Sequence, residues 1–523
     1  MQLDEPCSKR RLGRKMRWAV GLIGSLFLLI LVGLLYERFT GSIHLTRYTA
    51  TLRSQGETLL VSDLEPKDRP GPANNLVVDL LSLSNFIHSA GQTLDSAPPS
   101  WKIVRPGLRV VPHRLAHWYP DKKQTNTWEH FGADLEKHSE WVEKFHVALN
   151  QKSGFDFGVD YHGDFTMPHY EGLIQIKALH RVLCHSALLG LHREQKERAL
   201  SDLIDSIHLL SRQNSERFLI VQMVRQACFA LSFSTLWAVL EEPGWTEQQL
   251  SEIQNAWTPL DMLGDLGKSL RMERAMLVNY AQLVQTSHDH RQRMFDSASL
   301  WGSISDGSNW VDQCFSQVRE IQSPLWRFAW KDEDLLRGLQ RSQLLIDRYD
   351  RGVLKGWSQS QLTNHVVNRV PSIDWFPFAG DPTVSAFDRF RFPLLTLTSG
   401  IPDTLLERVL RYQTQHQIML VALACRRYRL TAGVWPESMS AMIPKFMPSE
   451  PRDWLGGGKL IYRRDASRGF LLYSKGSDGI DDGGDPSLPD GKDPSSDNLQ
   501  DKGKDWVWPA AATPEESEAA LRN

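Results

Sequence analysis

The apolar positions of this chain fall into one unbroken run and a series of one-sided stripes. The run is Trp18 to Tyr36, WAVGLIGSLFLLILVGLLY, and it holds no charged residue. As a helix it spans about 28 Å, close to the hydrocarbon thickness of a bilayer. The stripes begin after Pro168. Leu173, Ile176, Leu179, Leu183 and Ala187 share one helical face, and Leu200, Leu203, Ile207 and Leu210 share another. Ile220, Val224, Ala227, Leu231, Thr235 and Ala238 continue the pattern on a third segment. Spacings of three and four predict amphipathic helices that bury their stripes against one another.

Punctuation between the stripes sets the connections. Pro243-Gly244 breaks the run, and Thr246 with Gln249 forms a capping box for the next helix. Further helices are expected over Asn75–Ser89, over Thr127–Asn150 and around Leu335, Leu339, Ile346, Tyr349 and Val353. A strand is expected at Leu108–Val111, and residues 287–331 and 355–400 read as long loops with short helices. The C-terminal part opens on a helix from Pro402, with Leu405, Val409, Tyr412, His416, Met419 and Leu423 on one face and Gly433 as its C-cap. KLIYR (459–463) and GFLLYS (469–474) then read as a β-hairpin.

The expected fold class is therefore mainly α: an antiparallel helical-hairpin bundle or short superhelix after one transmembrane helix, with a small α+β C-terminal module. The segments are a basic N-terminus (1–17), the span (18–36), a polar stalk (37–75), a helical domain (76–400), the α+β module (401–508) and a frayed tail (509–523). Lys9, Arg10, Arg11, Arg14, Lys15 and Arg17 precede the span, which places the N-terminus in the cytoplasm and the bulk of the chain outside. The apolar run is long for a signal peptide, so it reads as an uncleaved anchor whose first partner is the lipid bilayer.

Charge narrows the classes of function. Over 523 residues, 60 Lys+Arg stand against 62 Asp+Glu, so no basic excess points to nucleic acid. The 18 tryptophans are expected as core anchors, with an exposed glycan-stacking groove as the sharper alternative. Cys184, Cys228, Cys314 and Cys425 follow the span, as buried thiols or as two disulfides.

One stretch carries a likeness. RYRLTAGVWPESMSAMIPKFMPSEPRDWLGGGKLIYRR, then FLLYSKGSDGIDDGG, then DWVW resembles the C-terminal domain of the major pseudopilin of type II secretion. The chain as a whole resembles bacterial single-pass membrane proteins that fuse a helical exported region to this tail. The resemblance implies residence in the bacterial inner membrane and a calcium site, with Ser474, Asp478 and Asp505 at the matching positions. Calcium takes six to eight hard oxygen ligands, and nine Asp against three Lys between Asp478 and Asp505 supply the oxygen type. The chain departs from the family in its span, which ends at Tyr36, far upstream of Pro402, and lacks the pseudopilin cleavage junction.

Elsewhere the chemistry is sparse. His162, Asp164 and His169 share a Gly/Pro loop whose donors suit zinc, the basis for an alternative reading as a zinc-dependent envelope hydrolase. His288 and His290 flank Asp289, and His180 and Cys184 lie one turn apart. Glu273 interrupts the stripe Leu263, Leu266, Leu270, Leu277, Tyr280, and an arginine from a neighbouring helix is its expected partner. No nucleophile elbow, Walker loop or dinucleotide fingerprint is present. The leading expectation is a membrane-anchored exported scaffold or binding protein with no catalytic residue assigned.

Overall fold

The computed structural model describes residues 7–81, 91, 93–121, 124–152, 154–164, 171–298, 320–353, 356, 361, 386–398, 404–466, 469–488 and 504–522. Among the described residues the chain is mainly helical with three small sheets. Helices of nine residues or more are α1 (Cys7–Ser54), α2 (Trp128–Glu136), α3 (Ser139–Gln151), α4 (Glu171–His192), α5 (Lys196–Arg212) and α6 (Leu219–Leu240). They continue with α7 (Glu247–Trp257), α8 (Met262–Thr286), α9 (His288–Ala298), α10 (Lys331–Val353), α11 (Thr404–Ala432) and α12 (Pro514–Arg522).

The N-terminal helix is 48 residues long, about 72 Å. Its apolar part is long and apolar enough to cross a membrane and carries its side chains largely exposed. The polar stalk expected over 37–75 is not a stalk. The helix runs on to Ser54, and Leu45, Tyr48 and Leu52 meet Val278, Leu335 and Leu339. Three apolar residues at spacings of three and four make too narrow a stripe to lift the average hydropathy of a segment rich in Thr and Arg. Gly41 lets the backbones touch, since a Cβ there would lie 3.2 Å from the Glu333 amide nitrogen.

α4, α5 and α6 form the centre of the main core, with α7, α8 and α11 around them. The stripe read on α6 names its less buried side: Ala227 is exposed, while Val221, Cys228, Phe229 and Phe233 are buried. From Ser232 to Leu240 every side chain is buried. A helix apolar nearly all round lies inside a core, and periodicity then loses its power to pick a face. The Thr246–Gln249 capping box forms as expected. The helix expected over Thr127–Asn150 is two, parted at His138 (φ −102°, ψ 2°). Residues 82–90 of the helix expected over Asn75–Ser89 lie outside the described residues, as does Pro402.

Strands β1 (Ile103–Arg105), β2 (Leu108–Arg109), β3 (Trp118–Asp121), β4 (Gln124–Asn126), β5 (Ile461–Asp465), β6 (Gly469–Ser474), β7 (Trp506–Val507) and β8 (Ala510–Ala511) form the sheets. The expected hairpin is β5–β6, antiparallel from Ile461↔Tyr473 to Asp465↔Gly469, and β7 adds to β6. Gly433, at φ +74°, ends α11 with its amide on the Arg429 carbonyl. The tail is ordered rather than frayed: β8 pairs parallel with β2, and α12 packs on β1.

The division at residue 400 also disappears in packing. One apolar cluster runs from Leu76 to Trp508. Phe229 meets Tyr412, Trp257 stacks on His416, and Phe233 meets Trp506 and Trp508. Among the described residues every tryptophan beyond Trp18 is buried or half-buried, so these indoles build the core rather than an open groove. Cys184, Cys228 and Cys425 are buried free thiols, and Cys314 lies outside the described residues.

Candidate functional site

The acidic C-terminal loop is organised by Asp453, a residue inside the motif stretch that no local spacing marks. Its fully buried carboxylate accepts hydrogen bonds from the amides of Leu455 (3.1 Å), Gly456 (2.8 Å) and Lys475 (3.0 Å) and from the Ser474 hydroxyl (2.8 Å). Burial raises its pKa, and these donors oppose the rise. Ser474, expected as a calcium ligand, thus serves as a donor to Asp453.

The other two expected ligands separate. Asp478 is exposed and turns back to the Ile480 amide at 3.0 Å. Asp505 is buried; one of its oxygens accepts the Gly484 amide at 2.7 Å, and the other, Oδ1, is buried without a hydrogen-bond partner among the described residues. Burial and the nearby Asp482 and Asp481 raise its pKa. Asp481 itself accepts from the Gly483 amide (3.0 Å) and the Tyr473 hydroxyl (2.9 Å), which hold its pKa low. Among the described residues no three His, Cys, Asp or Glu side chains are grouped to hold a metal ion.

The described part of the histidine loop is engaged by other segments of the chain. His162 lies 3.7 Å from Glu65, Asp164 is bound by Arg293 at 2.9 Å, and His169 lies outside the described residues. His288 and Asp289 are both largely exposed. His180 is buried and shares a hydrogen bond with Ser232 (2.9 Å), whose hydroxyl lies 3.3 Å from Ser206. Burial pushes the His180 pKa down to about 4 and the Cys184 thiol up to about 11. A neutral imidazole beside a protonated thiol is not an activated nucleophile.

Among the described residues Glu273 pairs with no arginine. Its Oε1 accepts the Leu219 amide at 3.0 Å, in the first turn of α6, where helical amides lack internal partners. Glu216, three residues before that helix, accepts from the Phe157 amide (2.6 Å) and the Tyr161 hydroxyl (3.0 Å). Loss of hydration pushes both carboxyls up to about 7. A carboxyl whose folded pKa exceeds its unfolded value binds more protons when folded, so stability falls as pH rises through that window. Glu273→Gln keeps the acceptor and removes the charge. The variant is expected to match the parent near pH 4.5 and to exceed it by about 1–3 kcal/mol above pH 7. Urea unfolding at both pH values tests this, and a variant weaker than the parent at high pH defeats it.

A further constellation carries no signal in the sequence. His146 on α3 sits between two carboxylates of α5: Nε2 meets Asp202 at 3.0 Å, and Nδ1 meets Asp205. Asp202 also accepts from the Ser186 hydroxyl at 2.6 Å and faces Arg198 at 3.9 Å. Asp202 hydrogen-bonding and Asp205 hydrogen-bonding push the His146 pKa up to about 10. An imidazolium held on both nitrogens is a structural cation, since neither nitrogen can take a proton from a substrate. The histidine and the two aspartates belong to different helices, and no local spacing announces them. No family model, no curated protein and no solved structure matches the chain.

Proposed function

We propose that this protein is a scaffold or binding protein anchored in the bacterial inner membrane, its N-terminus cytoplasmic and its folded region exported. The observation that carries the reading is the continuity of α1, which passes from the apolar run into the folded region without a break. Glu37, the first carboxylate after the run, is gripped by Arg391 at 2.6 Å and by the Trp330 indole N–H. An anchor joined this rigidly fixes the orientation of what it carries. The strongly shifted carboxyls support a structural role. Glu273 accepts an amide in the first turn of α6, and Glu216 accepts the loop amide of Phe157. Asp334, whose pKa burial raises to about 7, accepts the Leu394 and Leu395 amides at the start of the short helix Pro393–Thr398. A reporter fused after Ser54 is expected to be active only in the exported compartment, and alkaline carbonate should leave the full chain in membranes. Cytoplasmic reporter activity overturns the orientation, and carbonate release overturns the anchor.

The same reading takes the C-terminal module as calcium-stabilised. Its support is the buried, unpartnered Asp505 Oδ1 with the Asp481 and Asp482 charges beside it, a local excess that a divalent cation relieves. Calcium at a hundredfold excess over its Kd is expected to stabilise the full chain by about 2.7 kcal/mol. Chelator should reverse the gain and Asp505→Ala should abolish it. An unfolding midpoint indifferent to calcium removes this part of the reading.

A further inference from the structure

Beside the outer end of the apolar run the structure holds a groove of about 600 Å³. Its walls come from α9 and from the helical stretch described from Glu320 onward, which leads into α10. Phe295 in the wall belongs to the same apolar cluster that Leu34, within the apolar run, joins at its edge. Arg38, two residues past the run, donates to the Phe328 carbonyl at 3.2 Å and lies over the Phe328 ring. Phe328 adjoins Arg327 of the lining, so one wall of the groove reaches the first turn beyond the apolar run, and on the anchor reading that turn lies near the bilayer surface.

The charges of the groove come in both signs. Arg291 is buried and donates to the Val284 carbonyl at 2.7 Å. Burial first, and the like charge of Arg327 second, lower the Arg291 pKa; Arg327 is exposed and has no hydrogen-bond or ion-pair partner among the described residues. Glu320, exposed as well, is equally without one among them. Glu320 and Arg327 stand seven residues apart, about two turns, which sets them on one face. Asp296 and His288 complete the polar lining. At Trp326–Trp330 the helix widens to π geometry, a rare irregularity found frequently at functional sites.

Among the described residues neither Arg291 nor Arg327 is paired with a carboxylate, and guanidinium geometry matches phosphate oxygens. A carboxylate on the same face calls for a hydrogen-bonding cation. One ligand chemistry supplies both charges together with an apolar tail for the Phe295 wall. We propose that this groove binds the phosphoethanolamine headgroup of a phospholipid in the adjoining leaflet, its phosphate at Arg291 and Arg327 and its primary ammonium at Glu320. The proposal rests on the reading of α1 as a membrane anchor. The bound lipid would act as a second tie between the exported region and the bilayer.

Native mass spectrometry of the full chain in detergent micelles tests it, with phosphatidylethanolamine, phosphatidylcholine and phosphatidylglycerol added at equal concentration. Phosphatidylethanolamine is expected to bind about tenfold more tightly than the other two, the scale of one charge-assisted hydrogen bond. Phosphatidylcholine carries the phosphate without an N–H donor, and phosphatidylglycerol carries no cation. Glu320→Gln should bring phosphatidylethanolamine down to phosphatidylcholine, and Arg327→Glu should weaken both. Both side chains are exposed, so both variants should keep the parent unfolding midpoint. Equal binding of the three lipids, preference for phosphatidylglycerol, or indifference to both substitutions overturns the proposal. Water-soluble phosphoethanolamine competing at the same concentration as the lipid overturns it too, by assigning the groove to a soluble ligand. Carbonate release of the chain from membranes defeats the anchor reading and the proposal together, whereas retention with unselective lipid binding defeats the proposal alone.

Discussion

Replacing Asp453 by alanine is expected to dissolve the C-terminal sheet while the central helices stay folded. Four donors converge on this carboxylate, from the Leu455–Gly456 turn, from the end of β6 and from the amide that follows it. The side chain is fully buried, so water cannot replace it. The Leu455 amide keeps its bond to the Thr414 hydroxyl (2.9 Å), but an unsatisfied buried donor costs about 1–3 kcal/mol, and the other three put the loss at about 3 kcal/mol or more. That is a large fraction of the margin of about 5–15 kcal/mol that a domain commonly has. Asp453→Asn should fall between, because its amide NH2 opposes at least one of the converging N–H groups. Amide exchange at Leu455, Gly456 and Lys475, with limited proteolysis of the 455–505 region, reports the change. Unaltered protection in the alanine variant would show that these bonds do not hold the module.

The second large effect belongs to His146. Its removal leaves Asp202 and Asp205, both buried, without their shared cation. Breaking a buried pair from one side costs about 3–5 kcal/mol, since the remaining charge stays out of water. The pH dependence gives a signature that a simple packing defect lacks. The folded pKa of about 10 stands above the unfolded value near 6.5, so the folded state binds the extra proton between them. The contribution is full below pH 6.5 and is lost as pH rises through 10. The gap between the parent and His146→Ala should be widest near pH 6 and should close toward pH 10. Urea midpoints at pH 6 and pH 9.5 measure it. A gap constant across that range would reduce His146 to its bulk.

Much of the helical core was legible in the chain because local signals and tertiary demand agree there. Apolar spacing of three and four is plain on α4 and α5, where Ile176, Leu179, Leu183, Leu203, Ile207 and Leu210 are buried. Thr246 and Gln249 close a capping box whose partners are three residues apart, so no distant contact is needed. KLIYR and GFLLYS are short apolar runs with a short polar turn between them, and they pair as a hairpin. The candidate site was far less legible. Asp453 depends on Ser474 and Lys475, His146 on Asp202 and Asp205, and Glu273 on the Leu219 amide. Each partner lies more than twenty residues away or on another helix, and a single sequence carries no trace of such pairings.

The sequence by itself determined the apolar N-terminal helix, the helical character of the centre and the C-terminal hairpin, since each follows from periodicity within a few turns of chain. Tertiary structure alone decided that residues 37–54 remain helical, that the tail beyond Trp508 adds a strand and a helix, and that the C-terminal part shares one core with the rest. The physical reason is the same in each case. A narrow stripe such as Leu45, Tyr48 and Leu52, or a two-residue strand such as Ala510–Ala511, is too weak to hold a conformation alone and takes it from the surface it meets.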